Sequence, residues 1–377
     1  MKKVLLVSNY YSYYVSAGTS KRTREIKKGL SKQGWECKVL TIKRKNFPVK
    51  KEPDYKDINA IGSFSEKYPI PFFFKRKVFD LIKSSDVVHI INNFSLLNIL
   101  SIIFCLISKT PYIYSPCGAL TAVGKNIFIK KIYNLFFLNM ICKNASYIFA
   151  ITKKELEEIN NFSQTTSKTI LLPNGIWKES KKETISVDNY KLSKMGLPAK
   201  YILFVGRLSV IKGPDILLEA FLKSKIKYEF SLIYAGPDEN MKKKMLNNLK
   251  KNPFKNNIIF LGSVSSEKRD FLMKNAFLTV IPSRKEAMSM VALESSLMGT
   301  PFLASQFCGL DDFEENSSGY ICKGDSESIS LKLDFLLKDI DALLEVGENA
   351  HNYVLSSYTW ESIIDKMDSY LKRLINK

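Results

Sequence analysis

YILFVGRLSVIKGPDILLEAF, residues 201–221, reads as a strand, a loop and a helix in one line. Tyr201 to Val205 is a short run of aromatic and β-branched residues. Pro214 opens a helix at the position where its missing N–H removes no bond, and Ile216, Leu217, Ala220 and Phe221 follow at helical spacing. The same order recurs in IPSRKEAMSMVALESSLMGTP, residues 281–301. There a strand end leads into a polar loop and then a helix expected from Ser289 to Met298, stopped by Gly299 and Pro301.

On both sides the alternation continues. Strands are expected at Val4 to Ser8, Lys38 to Ile42, Val87 to Ile91, Tyr112 to Ser115, Tyr147 to Ile151 and Thr169 to Leu172. After them come Ile202 to Val205, Ser231 to Ala235, Ile258 to Leu261, Leu278 to Ile281 and Phe302 to Ala304. Strands separated by helical patterns imply parallel pairing through crossover helices, hence an α/β chain with two successive Rossmann-like sheets. At 377 residues the chain also exceeds what one core usually holds. The boundaries read as residues 1–175, a polar linker at 176–199, and 200–357. Lys21 to Gln33, capped by Gly34, is the first crossover helix, and an amphipathic C-terminal helix within 358–377 is expected to pack back on the first domain.

Composition excludes several classes. Six scattered cysteines with no CxxC pair and two histidines, His89 and His351, indicate neither a disulfide framework nor a zinc site, which fits a reducing cytoplasm. MKKVLLVSNYYS is too short an apolar run for a signal peptide and reads as the first strand. The 15 residues from Phe94 to Ser108 fall short of a membrane span and read as a buried helix. Neither GxGxxG nor a Walker A loop is present, against NAD binding and P-loop chemistry. Asp339 and Asp341 form a DxD inside a helical pattern and read as residues on different faces rather than a metal site.

The net charge of +20 is uneven. Residues 1–150 hold 25 Lys and Arg against 8 Asp and Glu, a balance of +17, and the remainder holds 32 against 29, or +3. An anionic partner of the first domain follows: a phosphorylated acceptor, acidic lipid or nucleic acid, the last without any recognised binding module. Aromatics and lysines interleave in FFFKRK (72–77) and between Ile127 and Lys143. Contact with an anionic membrane surface and ordinary helix packing with solvated lysines both fit.

Arg207 and Lys212 stand in the loop between a strand's C-terminal end and a helix N-terminus, where open α/β sheets bind phosphates. An Arg fork with a mobile Lys suits a diphosphate; two solvated charges is the other reading. The backbone N–H groups of Ala287, Met288, Ser289 and Met290, at the start of the later helix, would face the same ligand. Glu286 suits sugar hydroxyls or the helix dipole, and Glu294 a ribose diol or a solvated helix face.

Together these segments resemble the family 4 glycosyltransferases of the GT-B fold, whose signature is a Glu, seven residues and a second Glu, as from Glu286 to Glu294. GRLSVIKG (206–213), AGPD (235–238), FLGSV (260–264) and GYICKGD (319–325) also match. The resemblance implies two Rossmann-like domains facing across a cleft. It further implies a UDP-sugar or GDP-sugar donor and transfer with retention to a glycan or lipid-linked acceptor, without an obligatory metal or enzyme nucleophile. By that resemblance Arg207 and Lys212 bind the donor diphosphate, Glu294 the ribose and Glu286 the donor sugar, with Val264 beside the nucleobase; Glu286, Arg207 and Lys212 carry catalysis. In the first domain, SAGTSKRTREIKKGLSKQGWECKVLT (16–41) resembles the family's Gly-rich loop, placing Gly18 at the acceptor. SPCGAL (115–120) departs from it, since Cys117 stands where many members carry His or Arg. That departure supports an alternative, a catalytically silent sugar-nucleotide-binding subunit of a polysaccharide assembly complex. The Lys, Asn and Ile bias with the basic first domain points to bacterial surface polysaccharide synthesis, lipopolysaccharide or capsule, in the cytoplasm at the inner face of the membrane.

Overall fold

A computed structural model describes residues 1–13, 18–43, 52–63, 75–120, 127–163, 168–178 and 189–376. The chain divides into two units, Met1–Asn174 with Trp360–Lys377, and Gly175–Thr359.

The first unit is a parallel sheet of β1 (Lys3–Ser8), β2 (Glu36–Ile42), β3 (Ile58–Ile61), β4 (Val87–Ile91), β5 (Tyr112–Ser115), β6 (Tyr147–Ala150) and β7 (Thr169–Leu171) in the order 3-2-1-4-5-6-7. β1 pairs in parallel with both β2 and β4, and Val4 to Ser8 are buried, which is why KVLLVS is an unbroken apolar run rather than an alternating one. β3 was not expected from the sequence: INAI is a four-residue strand at the edge of the sheet, paired among the described residues with β2. The first crossover helix begins at Gly18, three residues before the expected Lys21, and ends at Lys32. Gly34 follows with φ +83° and donates to Ser31 O.

The C-terminal helix Trp360–Ile375 packs on that helix. Trp35 Nε1 donates to Asp368 Oδ1 at 2.8 Å, and a Cβ on Gly29 would lie 2.4 Å from Ile364 Cγ1, so glycine is required there. Helix Leu96–Ser108 corrects one expectation. Its inner side, including Leu97, Ile102 and Cys105, is buried, but Ile103, Leu106 and Ile107 are exposed. Of the aromatic run FFFKRK, Phe72, Phe73 and Phe74 lie outside the described residues, as does Ala17.

The second unit holds β8 (Tyr201–Val205), β9 (Ser231–Ala235), β10 (Ile258–Gly262), β11 (Leu278–Ile281), β12 (Phe302–Ser305) and β13 (Tyr320–Cys322), parallel in the order 10-9-8-11-12-13. β13, three residues at the edge, again escaped the sequence pattern. Within the segment read as a linker, helix Asn189–Lys194 contributes Leu192, which with Leu197 joins the core around Tyr201 and Leu203. The chain enters and leaves this unit side by side, since Ile176 bridges Thr359 and donates to Tyr358 O at 2.9 Å.

Candidate functional site

The order of the second sheet reverses between β8 and β11, neighbouring strands whose crossovers leave in opposite directions. At such a point the loops after the two strands part and leave room for a ligand at the strands' carboxyl ends. The loop after β8 carries Arg207 and Lys212, and the loop after β11 carries Glu286. Sheet topology therefore brings together side chains about 75 residues apart in sequence.

The two loops are pressed into contact. Gly213 has φ +67°, and a Cβ there would sit 2.2 Å from Pro282 O. Arg284 N donates to Ile211 O at 2.8 Å. Its guanidinium donates to Val210 O at 2.6 Å and forms a fork on Asp215, at 2.9 and 2.8 Å. Arg284 and Asp215 were not singled out from the sequence, because each sits in a polar loop or first helical turn and only the sheet order makes them partners. Gly236, in the loop after β9, has φ +155°, and a Cβ would fall 1.9 Å from Gly206 O, so this loop lies against the first one too.

At this junction Lys212 Nζ stands 2.9 Å from Glu286 Oε1, and Ser283 Oγ donates to the same oxygen at 2.6 Å. The Glu286 side chain is 9% exposed and that of Lys212 23%. A pair so sheltered is neither solvated lysine nor solvated carboxylate. Arg207, by contrast, meets Glu239 at 2.6 Å in a half-exposed ion pair, the kind that contributes little. An incoming anion can displace Glu239 at small cost.

The helix after β11 runs Met290–Leu297, one residue shorter at each end than expected. Ser289 N donates to Cys308 O at 3.0 Å, so this amide is committed, contrary to the expectation of a free donor. Ser289 Oγ is buried without a partner among the described residues, as is Ser209 Oγ in the loop after β8. Both are buried hydroxyls, Ser289 fully so, and they line the interior of the two loops rather than an open surface. Glu294 lies in the same helix, largely buried, with Oε2 3.4 Å from Arg269 Nη1. Arg269 belongs to helix Ser266–Asn275, capped by Ser265 immediately after the half-buried Val264. Arg269 is a further residue that the sequence pattern did not mark.

In the first unit the corresponding reversal lies between β1 and β4. Gly18 starts its helix in open space, with no described atom within 4 Å of the point where a Cβ would stand. Cys117, just past β5, adopts φ +57°, and burial pushes its thiol up to about 11, so it is no thiolate at neutral pH. Gly118 N and Ile151 N both donate to Glu155, the second at 2.8 Å, tying the loops after β5 and β6 together. Burial raises the Glu155 carboxyl to about 7. His89 is a core residue: its Nε2 is 2.8 Å from Ser115 Oγ, and burial lowers its pKa to about 3, keeping it neutral. Arg22, also missed, is buried and donates to Leu172 O, Pro173 O and Asn174 Oδ1, fixing the turn after β7. Asp339 caps helix Ile340–Ser357 by accepting from Ala342 N at 3.0 Å, which accounts for half of the DxD.

Residues 193–353 match the family model described as Glycosyl transferases group 1. That match falls within the second unit and covers less than half of the chain. The chain is 24% identical over 397 aligned residues to an uncharacterised glycosyltransferase of Methanocaldococcus jannaschii, with 96% of this chain and 95% of the relative covered. It is 27% identical to the lipopolysaccharide 1,2-N-acetylglucosaminetransferase of Salmonella typhimurium over 55% of this chain and 57% of that protein. Among solved structures, Anabaena HepE in complex with UDP superposes with a TM-score of 0.82 at 16% identity, covering 99% of this chain and 100% of HepE. That likeness gives the chain the GT-B fold, as the resemblance in its motifs implies.

Proposed function

We propose that this chain is a group 1 glycosyltransferase that moves a hexosyl group from a nucleoside diphosphate sugar to a glycan or lipid-linked acceptor, with retention of anomeric configuration, in the synthesis of a bacterial surface polysaccharide such as lipopolysaccharide or capsule. The observation that carries the donor assignment is the sheltered Lys212–Glu286 pair at the reversal of the second sheet, with Arg207 in the same loop as Lys212. In this reading Arg207 and Lys212 take the diphosphate, assisted by the backbone around Ala287, Met288 and Met290. Glu286, released from Lys212, accepts hydrogen bonds from the sugar. Glu294 receives the ribose, with Arg269 holding its carboxylate in place, and Val264 borders the base.

The bond from the anomeric carbon to the β-phosphate oxygen breaks, and the departing oxygen takes the acceptor hydroxyl's proton as the new glycosidic bond forms on the same face. The products are glycosylated acceptor and nucleoside diphosphate. Negative charge grows on the leaving diphosphate, so fixed cations and N–H groups there stabilise the transition state more than the ground state. The acceptor is assigned to the first unit, near Gly18 and Cys117. UDP-sugars are favoured as donors because HepE has been solved with UDP and with UDP-glucose. The test is nucleoside diphosphate release from a panel of UDP- and GDP-sugars. Turnover with at least one donor that falls more than tenfold in Arg207→Ala supports the reading. No release from any donor, with and without a membrane lipid extract as acceptor, contradicts it.

A further inference from the structure

The helical stretch that crosses from β5 to β6 carries more apolar surface than its own core takes up. Ile127–Tyr133, a π-helical turn at Asn134–Leu138 and Asn139–Asn144 follow one another without a break. Its inner side chains, Tyr133, Leu138, Ile141 and Cys142, are buried in the core of the first sheet. At helical spacing, Phe128, Ile132, Leu135 and Phe136 fall together on the other side. They are 75%, 40%, 76% and 68% exposed. A helix apolar on both sides needs a second apolar phase, and a contiguous run of bulky exposed side chains marks an interaction surface.

The charge around this stripe identifies the phase. From Val87 to Lys154 the sequence contains no Asp or Glu and seven Lys. Lys131 and Lys143 are exposed on this stretch, and Lys130 lies over the Phe94 ring at 5.4 Å. A second copy of the chain meeting this face with its own would set lysines against lysines, which disfavours self-association. An acidic lipid surface satisfies both features, taking Phe, Ile and Leu at the acyl boundary and the ammonium groups at its phosphates. Among the described residues no helix is long and apolar enough to cross a membrane, so the stretch would lie in the plane of the surface.

We infer that residues 127–144 are an interfacial anchor that docks the first unit on an anionic bilayer through Phe128, Ile132, Leu135 and Phe136, with Lys131 and Lys143 at the headgroups. The inference stands apart from the donor chemistry, which is measured in solution. The test uses the full chain with vesicles of phosphatidylcholine alone and of phosphatidylcholine mixed with phosphatidylglycerol, by co-sedimentation at low and raised salt. The parent should pellet with the acidic vesicles, less so at raised salt, and weakly with neutral ones. The triple variant Phe128→Ser, Leu135→Ser, Phe136→Ser removes only exposed side chains. It should keep the parent's melting temperature and lose vesicle affinity by more than about tenfold. In a Phe136→Trp variant, emission should shift to the blue on adding acidic vesicles, reporting insertion rather than mere charge attraction. Equal pelleting of parent and triple variant, no pelleting of the parent at low salt, or unmoved tryptophan emission would each overturn the anchor. A parent dimer that dissociates in the triple variant, without vesicle binding, would also overturn it and assign the stripe to a second copy.

Discussion

Replacing Lys212 by Met should cost both stability and turnover, and the two losses separate the roles of the Lys212–Glu286 pair. At 2.9 Å and an effective dielectric constant near 20, the pair's gross attraction is about 6 kcal/mol, most of it offset by the desolvation of two sheltered groups. Lys212→Met leaves a carboxylate that is 9% exposed with Ser283 Oγ as its remaining described donor, so a loss of about 1–3 kcal/mol is expected. Glu286→Gln costs less, because the lysine's longer stem can reach water. The double variant should recover about 1–2 kcal/mol relative to the sum of the singles. For a unit of this size 1 kcal/mol moves the melting midpoint by about 2–4 °C, so thermal unfolding of the four proteins resolves the coupling. Activity should not recover in parallel: the double variant lacks both the diphosphate contact and the sugar contact, and its kcat should stay below that of either single variant. Strictly additive stability changes would refute the pair. Turnover in the double variant equal to the parent's would refute its catalytic role.

Glu294→Ala should raise the KM for the donor and weaken nucleoside diphosphate binding, while Glu286→Ala should chiefly lower kcat; initial-rate kinetics with UDP inhibition distinguish them. Gly236→Ala should prevent the second unit from folding normally, since its Cβ would lie 1.9 Å from Gly206 O, and the loss is read as a lower melting point and lower soluble yield. Glu155 gives a pH dependence. Its carboxyl is raised from 4.5 to about 7 in the folded chain, so the folded state binds the proton more tightly. Stability contributed by this group therefore falls as pH rises from 4.5 to about 7 and is constant above. Relative to the parent, Glu155→Gln should gain stability across that window and no further beyond it, measured by melting points from pH 5 to 8.

Much of this architecture is legible in the sequence because the central strands are buried on both faces and so appear as continuous apolar runs, as in KVLLVS and YILFV. The two strands that escape the pattern, INAI and YIC, are short edge strands with one neighbour each, where sheet pairing rather than side-chain pattern makes the strand. Around the site, the loop positions of Arg207, Lys212 and Glu286 follow from strand ends and helix starts. Their partners do not: Glu239, Arg269 and the Arg284–Asp215 fork depend on which loops the sheet order places side by side. Burial in one helix is hidden for the same reason. Leu96–Ser108 is apolar on all sides, and hydropathy alone does not say that Ile103, Leu106 and Ile107 lack a covering element among the described residues.

The proposed grip of the second unit's switch-point loops on a diphosphate is tested by calorimetric titration of uridine and UDP. In the parent, UDP should bind at least tenfold more tightly than uridine, since each charge-assisted phosphate contact contributes about 1.5–3 kcal/mol. In the Arg207→Ala, Lys212→Ala double variant that advantage should disappear while uridine affinity stays the same. A UDP advantage undiminished in the double variant would contradict the assignment of the site.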